Sequence, residues 1–338
     1  MSRPANPVRA ITIHDVAAEA KVSKSTVSLV LQGSGLIREE TARRVREAAQ
    51  KLGYVYNRRA AELRNNSSRT IGVVINDLMN PFFAEVLVGL ERKLVDAGYI
   101  VFMAHTSEDL RRQEQVLTTM REQNIAGFAF CPAIGTPVAV LKTIRNWGIP
   151  TVVMVRPLGS GAYDYAGSDN TLGVKLAMAH LIGRGHRQIA FLGGRRGPVF
   201  EQRLAGYRQA LADAHLAFDE ALVFPADPTR QGAHDCTLGM LDAHPEVTAA
   251  ACYNDLVAFG ALSALGERGL QAGKDFALMG FDNVLAAAHS NPPLSTVDIQ
   301  PSLLGEEAAK LLLQRISAPD SAAKRYIAAP QLVLRQSD

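Results

Sequence analysis

Lys24, Ser25 and Ser28 fall close together at the start of a short amphipathic segment, and their side chains suit the edges of bases. A lysine ammonium donates to guanine O6 and N7, and a serine hydroxyl donates or accepts. Arg58, Arg59 and Arg64 follow in a basic run of the kind that meets phosphates. Catalytic patterns do not compete with these residues. LGGRRG follows an apolar run but lacks GxGxxG spacing. Around AGKD, Arg268 stands where a phosphate loop needs its first Gly, and Asp275 where it needs Ser or Thr. There is no GxSxG and no HExxH. The eight histidines show no i, i+4 metal pairing, and His186 in GRGHRQI reads as a fold residue ahead of a strand. Cys131, Cys236 and Cys252 are far apart, which excludes a disulfide scaffold and a cysteine-rich zinc site. No metal, no cofactor and no enzymatic activity are expected.

Charge divides the chain. Over all 338 residues the formal net charge is +3. Residues 1–70 hold thirteen Lys and Arg against six Asp and Glu, or +7, which leaves −4 on the remainder. A basic head on an acidic body implies that the head alone meets a polyanion. No apolar run reaches the roughly 18 residues of a membrane span, and MSRPANPVRA lacks an apolar signal core. A cytoplasmic protein without a membrane partner is expected.

The elements that position the head are three helices. Thr12 and Asp15 fit a capping box ahead of a helix over about 13–20, with Ile13, Val16, Ala17 and Ala20 on one stripe. Ser23 suits the cap of a second helix to about Leu31, and Gly33-Ser34-Gly35 breaks it. A third helix is predicted from Glu39 to Leu52, closed by Gly53. Two short helices, a tight turn and a closing third make a helix-turn-helix, whose second helix enters the major groove. A plain three-helix satellite domain is the alternative. The segment 57–64 is short, basic and Ala-bearing, and Asn-Asn-Ser-Ser after it has linker composition.

From Ile71 onward, apolar runs alternate with helical stretches. The runs are IGVVIN, IVFMAHT, GFAFCP, TVVMV, and then IAFLG, VF at 223–224, AAACY and FALMGF. The two series predict two α/β lobes with doubly wound parallel sheets, and a ligand cleft at the carboxyl ends of their strands.

These strings carry a resemblance. TIHDVAAEAKVSKSTVSLVLQGSG, TARRVREAAQKLGYVYNRRAAELR, IGVVINDLMNPFFAEVLVGLE, HLIGRGHRQIAFLGG, RLAGYRQAL, CYNDLVAFGAL and GFDN look like the lactose/galactose-repressor (LacI/GalR) family of bacterial transcription regulators. VSLVLQG most resembles the branch containing the maltose-system repressor. The resemblance covers essentially the whole chain. It implies a helix-turn-helix head (1–56), a hinge helix and linker (57–70) and a periplasmic-binding-protein-like body (71–338). Three chain crossings would give one lobe of about 71–166 and 297–325, and a second of about 167–296 and 326–338.

The resemblance implies a homodimeric repressor on a pseudo-palindromic double-stranded DNA operator, tuned by a sugar-like effector. The family's best-known tetramer carries an extra C-terminal helical tail. This sequence stops soon after Leu334, so a dimer is expected. DNA contacts would fall on Thr12, Lys24, Ser25, Thr26, Ser28, Asn57, Arg58, Arg59, Ala60, Leu63 and Arg64. In the family, Leu63's counterpart wedges between base pairs in the minor groove. Effector contacts would fall on Asp77, Pro81, Phe82, Arg156, Arg203, Asn254, Asp282 and Asn283, with Asp255 read as a helix cap. Two of these have a plainer alternative: Phe82 can simply bury its helix start, and Arg203 can form a surface salt bridge. A carbohydrate-processing enzyme or a solute-binding protein on the same body is the competing function.

Several residues depart from the family pattern. Lys21 sits where the turn often uses Gly. Leu29 and Ala42 sit where relatives have Arg, and Arg38 where they favour a capping Ser. Pro228 or Thr229 replaces a common aromatic wall residue.

Overall fold

A computed structural model of the chain describes residues 11–56 and 68–338, and the chain divides into two compact units between Ser67 and Ser68. The first unit contains α1 (Ile13–Ala20), α2 (Lys24–Leu31) and α3 (Glu39–Leu52), at the bounds the sequence predicts. The Asp15 carboxylate accepts from the Thr12 amide at 2.8 Å and from its hydroxyl at 2.7 Å. Ser23 Oγ accepts from the Thr26 amide at 3.1 Å. Arg38 gives α3 no side-chain cap, and Glu39 and Glu40 face the positive end of the helix dipole instead. Lys21 ends α1 at φ 52°. The turn thus takes a left-handed residue without glycine, at a cost of roughly 1–2 kcal/mol. Val16, Val27 and Val45, one from each helix, are fully buried and hold the three together. The hinge residues Asn57, Arg58, Arg59, Ala60, Leu63 and Arg64 lie outside the described residues.

The second unit opens with β1 (Thr70–Ile75), α4 (Pro81–Asp96), β2 (Ile100–His105), α5 (Leu110–Glu122), β3 (Gly127–Phe130), α6 (Ala139–Asn146), β4 (Thr151–Met154) and β5 (Asp164–Ser168). It continues with α7 (Asn170–Gly183), β6 (Ile189–Leu192), α8 (Pro198–Asp213), β7 (Val223–Phe224), α9 (Arg230–Ala243), β8 (Ala249–Cys252), α10 (Asp255–Glu267), β9 (Ala277–Met279) and β10 (Thr296–Asp298). It closes with α11 (Pro301–Ser317), β11 (Arg325–Ala328) and β12 (Gln331–Val333). One sheet runs β11-β5-β4-β3-β1-β2 and the other β7-β6-β8-β9, and every pairing within both is parallel. β10 and β12 form an antiparallel ribbon where the chain passes between the lobes.

The lobe limits differ slightly from expectation. β5 is not predicted by the sequence, because DYAGS has no continuous apolar run. It pairs with β4 and β11, so the first lobe extends to Ser168 and Ala328 rather than 166 and 325. The Asp282 amide donates to Val297 O at 2.9 Å, and Asp282 bridges Asp298, so the second lobe extends to Asp298 rather than 296. α11 returns to the first lobe and packs on α4 with backbones touching. A Cβ on Gly89 would lie 1.9 Å from Ser302 O, and one on Gly305 2.0 Å from Val86 O. The second lobe repeats the device, since a Cβ on Gly206 would lie 2.2 Å from Thr171 O.

Candidate functional site

The head presents the first turn of α2. Lys24 and Ser25 are exposed and their side chains make no hydrogen bond among the described residues, so both are available to a partner. The other hydroxyls expected to touch DNA are partly engaged. Thr12 serves the α1 cap, Thr26 Oγ1 lies 2.9 Å from Ser23 Oγ, and Ser28 Oγ accepts from Gln32 Nε2 at 3.4 Å.

In the body, a cavity of about 270 Å³ opens at the carboxyl ends of the strands, between the two lobes. β1 leads to Asn76 and Asp77, β2 to Glu108, and β4 to Val155 and Arg156. β5 leads to Asn170, β8 to Tyr253 and Asn254, and β9 to Asp282, and all of them line it. Arg203 reaches it from the first turns of α8 and is buried. Its Nε donates to Asn170 Oδ1 at 2.9 Å, Nη1 to the Tyr253 carbonyl, and Nη2 to Asp282 Oδ1 at 3.4 Å. The guanidinium carbon also sits 3.7 Å from the Phe281 ring centroid and 4.7 Å from that of Tyr253. On the other lobe, buried Arg156 donates through Nη2 and Nη1 to Glu108 at 2.8 and 3.0 Å, and through Nη1 to Pro132 O at 2.5 Å. Glu108 also accepts from Asn76 Nδ2 at 2.6 Å and from the Ile134 amide at 2.7 Å. Burial pushes the Glu108 carboxyl up, but Arg156, Asn76 and Ile134 outweigh burial and hold it below the usual carboxylate range.

A helix-turn-helix head and a two-lobed body with a cleft at the strand ends together narrow the possibilities to few families. The family model for bacterial regulatory proteins of the lacI family matches residues 12–57, and the periplasmic binding protein-like domain model matches 178–337. The HTH-type transcriptional repressor PurR of Aliivibrio fischeri strain MJ11 is 33% identical over 331 residues, covering 96% of this chain and 98% of its own. The maltose regulon regulatory protein MalI of Escherichia coli K12 is 32% identical, covering 96% of this chain and 97% of its own. A structure described as the transcriptional regulator CelR–cellobiose complex aligns with a TM-score of 0.75 at 29% identity, covering 97% of this chain and 100% of that one.

The chain belongs to the lacI family of bacterial regulatory proteins.

It is accordingly a DNA-binding transcription regulator with a ligand-binding body. PurR and MalI stand level, so whole-chain identity does not single out the maltose-system branch that VSLVLQG resembles.

Of the cleft residues expected by resemblance to the lacI family, Asp77, Phe82, Arg156, Arg203, Asn254 and Asp282 line the cavity, and Pro81 and Asn283 do not. Asn283 turns away because its Oδ1 accepts from Arg335 Nη2 at 2.7 Å. Pro81 is the first residue of α4, where its missing N–H costs nothing. Asn254 lines the cavity, but it also takes the cap expected of Asp255. Asn254 Oδ1 caps α10 by accepting from the Val257 amide at 2.9 Å. Asp255 is fully buried and ties three segments, accepting from Thr296 Oγ1 at 2.5 Å and from the Val284 amide at 2.9 Å. Phe82 is buried, edge-on to Phe83 at 5.2 Å between centroids, so it serves the core and the cavity wall together. Sequence reasoning missed Asn76, Glu108, Asn170 and Tyr253. Asn76, Glu108 and Tyr253 fall at or just past the end of an apolar run, which was the available signal, whereas Asn170 follows β5 and had none.

Burial pushes the Asp282 carboxyl up to about 7, although Arg203 draws it down. Its folded value therefore lies above its unfolded one. That contribution to stability is full below about pH 4 and is lost as pH rises through about 7. Asp282→Asn is expected to flatten the stability profile between about pH 4 and 7. Melting temperatures at unit pH steps would test this, and an unchanged slope would remove Asp282 as its source.

Proposed function

We propose that this lacI-family chain is a homodimeric repressor that reads a pseudo-palindromic operator and responds to a sugar or sugar derivative in the inter-lobe cleft. Residues 1–56 form the reading head, 57–70 the hinge and 71–338 the effector and dimerisation body. Lys24 and Ser25 reach base edges, while Thr12, Thr26 and Ser28 add contacts from the same helices. In the hinge, Leu63 is the apolar wedge, and Asn57, Arg58, Arg59, Ala60 and Arg64 accompany it. The effector meets Asp77, Phe82, Arg156, Arg203, Asn254 and Asp282. The protein acts in the cytoplasm and turns nothing over.

One observation carries this reading: a free Lys24-Ser25 turn and a strand-end cavity flanked by two buried arginines occur in one lacI-family chain. Dimerisation draws support from β2, the edge strand of the six-stranded sheet, where Ile100, Phe102 and Met103 are each more than two-fifths exposed. Such an apolar edge is stable in water when covered. Effector coupling to DNA affinity is expected at about 1–3 kcal/mol.

Enrichment of duplexes from a random pool by the full chain tests the reading. A two-fold-symmetric consensus is expected, and the absence of any enriched sequence would refute it. On that consensus, Lys24→Ala is expected to lose about 1–3 kcal/mol of discrimination at one position in each half-site. If affinity instead falls equally on every sequence, Lys24 contacts phosphate and not a base.

A further inference from the structure

The charges at the cavity wall are already answered from within the chain. Arg156 spends two nitrogens on Glu108 and a carbonyl. Arg203 spends all three nitrogens on Asn170, Tyr253 and Asp282. Arg195, at the mouth, donates through Nε to Asp227 at 2.7 Å. Asp77 adds a further carboxylate, with one oxygen accepting from the Met79 amide at 2.8 Å. Arg156 and Arg203 are therefore already charge-paired, and neither offers an uncompensated cation to a phosphate or carboxylate. An entering anion would have to break a buried pair and strand Glu108 or Asp282 beside it. A hydroxyl suits both halves of a pair at once, donating to the carboxylate and accepting from the guanidinium.

The first-lobe pair is held at some backbone cost. Ser107, Glu108 and Val155 have φ of 53°, 61° and 64°, and a β-branched residue such as Val is rarely found there. These left-handed residues flank the strand ends that bring Glu108 to Arg156, which are 48 positions apart in sequence. Strain of this kind gathers at ligand sites.

We propose that the effector is an uncharged polyhydroxylated molecule, and that Glu108–Arg156 is a hydroxyl-binding, specificity-determining pair on the first lobe, the counterpart of Arg203–Asp282 on the second. This rests on the cleft being the effector site. Both lobes then grip the ligand through the same chemistry, so the pairs that select against charge also report closure. Asn76, also on the cavity wall, supports the first pair by donating to Glu108.

The test uses the full chain and its selected duplex with matched probes: ribose and ribose 5-phosphate, glucose, glucuronate and glucose 6-phosphate, cellobiose and cellobionate, and a wider set of neutral pentoses, hexoses and disaccharides. At least one neutral sugar is expected to raise the melting temperature and change duplex affinity, with its anionic partner about 100-fold weaker or more. Glu108→Gln frees the Arg156 fork. It is expected to weaken the neutral sugar about tenfold and to narrow or reverse its advantage over the anion, whereas a merely damaged cleft would lose both alike. Glu108→Asp keeps the charge and is expected to keep the neutral preference. The wild-type panel decides the charge class without either variant. An anion binding as tightly as its neutral partner, or silence from every neutral sugar, overturns the proposal. An anion that binds and alters duplex affinity leaves the regulator reading intact. A neutral sugar that binds without altering duplex affinity sinks the effector reading and spares the charge class.

Discussion

Arg203→Ala is expected to abolish the effector response and to lower the stability of the body by about 3–5 kcal/mol. The loss comes less from the bonds removed than from what they leave behind. Asp282 would stay buried without its cation, and Asn170 Oδ1 and the Tyr253 carbonyl would lose their donor. In a body of this size the melting temperature should fall by roughly 10 °C. The double variant Arg203→Ala, Asp282→Ala separates the causes. With the stranded carboxyl gone, it should be more stable than Arg203→Ala alone while remaining blind to effector. Calorimetry on the four proteins of the cycle measures this, with duplex affinity and added sugar as the functional readout. Strictly additive losses would show that the pair is not coupled.

Gly305→Ala is expected to cost about 3 kcal/mol, the reverse of the gain of about 1 kcal/mol that the same change brings inside an ordinary helix. The added methyl group would need the space held by the Val86 carbonyl, 2.0 Å away, with the Leu90 amide at 2.9 Å. Those atoms are backbone, so the neighbour cannot rotate aside, and α4 and α11 must separate along their length. Gly239→Ala is the control, because nothing lies within 4 Å of its Cβ position. Chemical denaturation should show Gly239→Ala neutral to stabilising and Gly305→Ala unfolding at much lower denaturant. If both behave alike, the close crossing is not what holds the two helices.

The head was legible in the sequence almost residue by residue, because its signals are local. Thr12 with Asp15, Ser23, Gly53 and the valine-alanine stripes each act within a turn or two, and α1, α2 and α3 begin and end where they indicate. Lys21 was legible as a cost, and its φ of 52° shows where that cost falls. The alternation of strands and helices in the body was legible for the same reason, except at β5, whose Gly-bearing run depends on neighbours at both edges. The cleft was legible only through resemblance. Glu108 and Arg156 meet from 48 positions apart, and Asn283 is drawn off by Arg335 from 52 positions away. No window on the chain holds such information. Asn254 and Asp255 show the finer limit: adjacent polar residues at a helix start have similar propensities, and tertiary partners alone decide which one caps.

The return of α11 to the first lobe sets an order of assembly during synthesis. The four strands of the second sheet are all present once the chain has been made to Met279. The first sheet begins at Thr70 yet lacks its edge strand until Ala328, and it lacks the buried face of Leu304, Ala308, Leu311 and Leu312 until α11 is made. The lobe translated first is therefore the lobe finished last, and its uncovered apolar surface waits through most of translation. Such surface is where nascent chains aggregate or recruit chaperones. In this chain that hazard belongs to the N-terminal strands, and the close glycine crossing of α4 and α11 is the step that ends it.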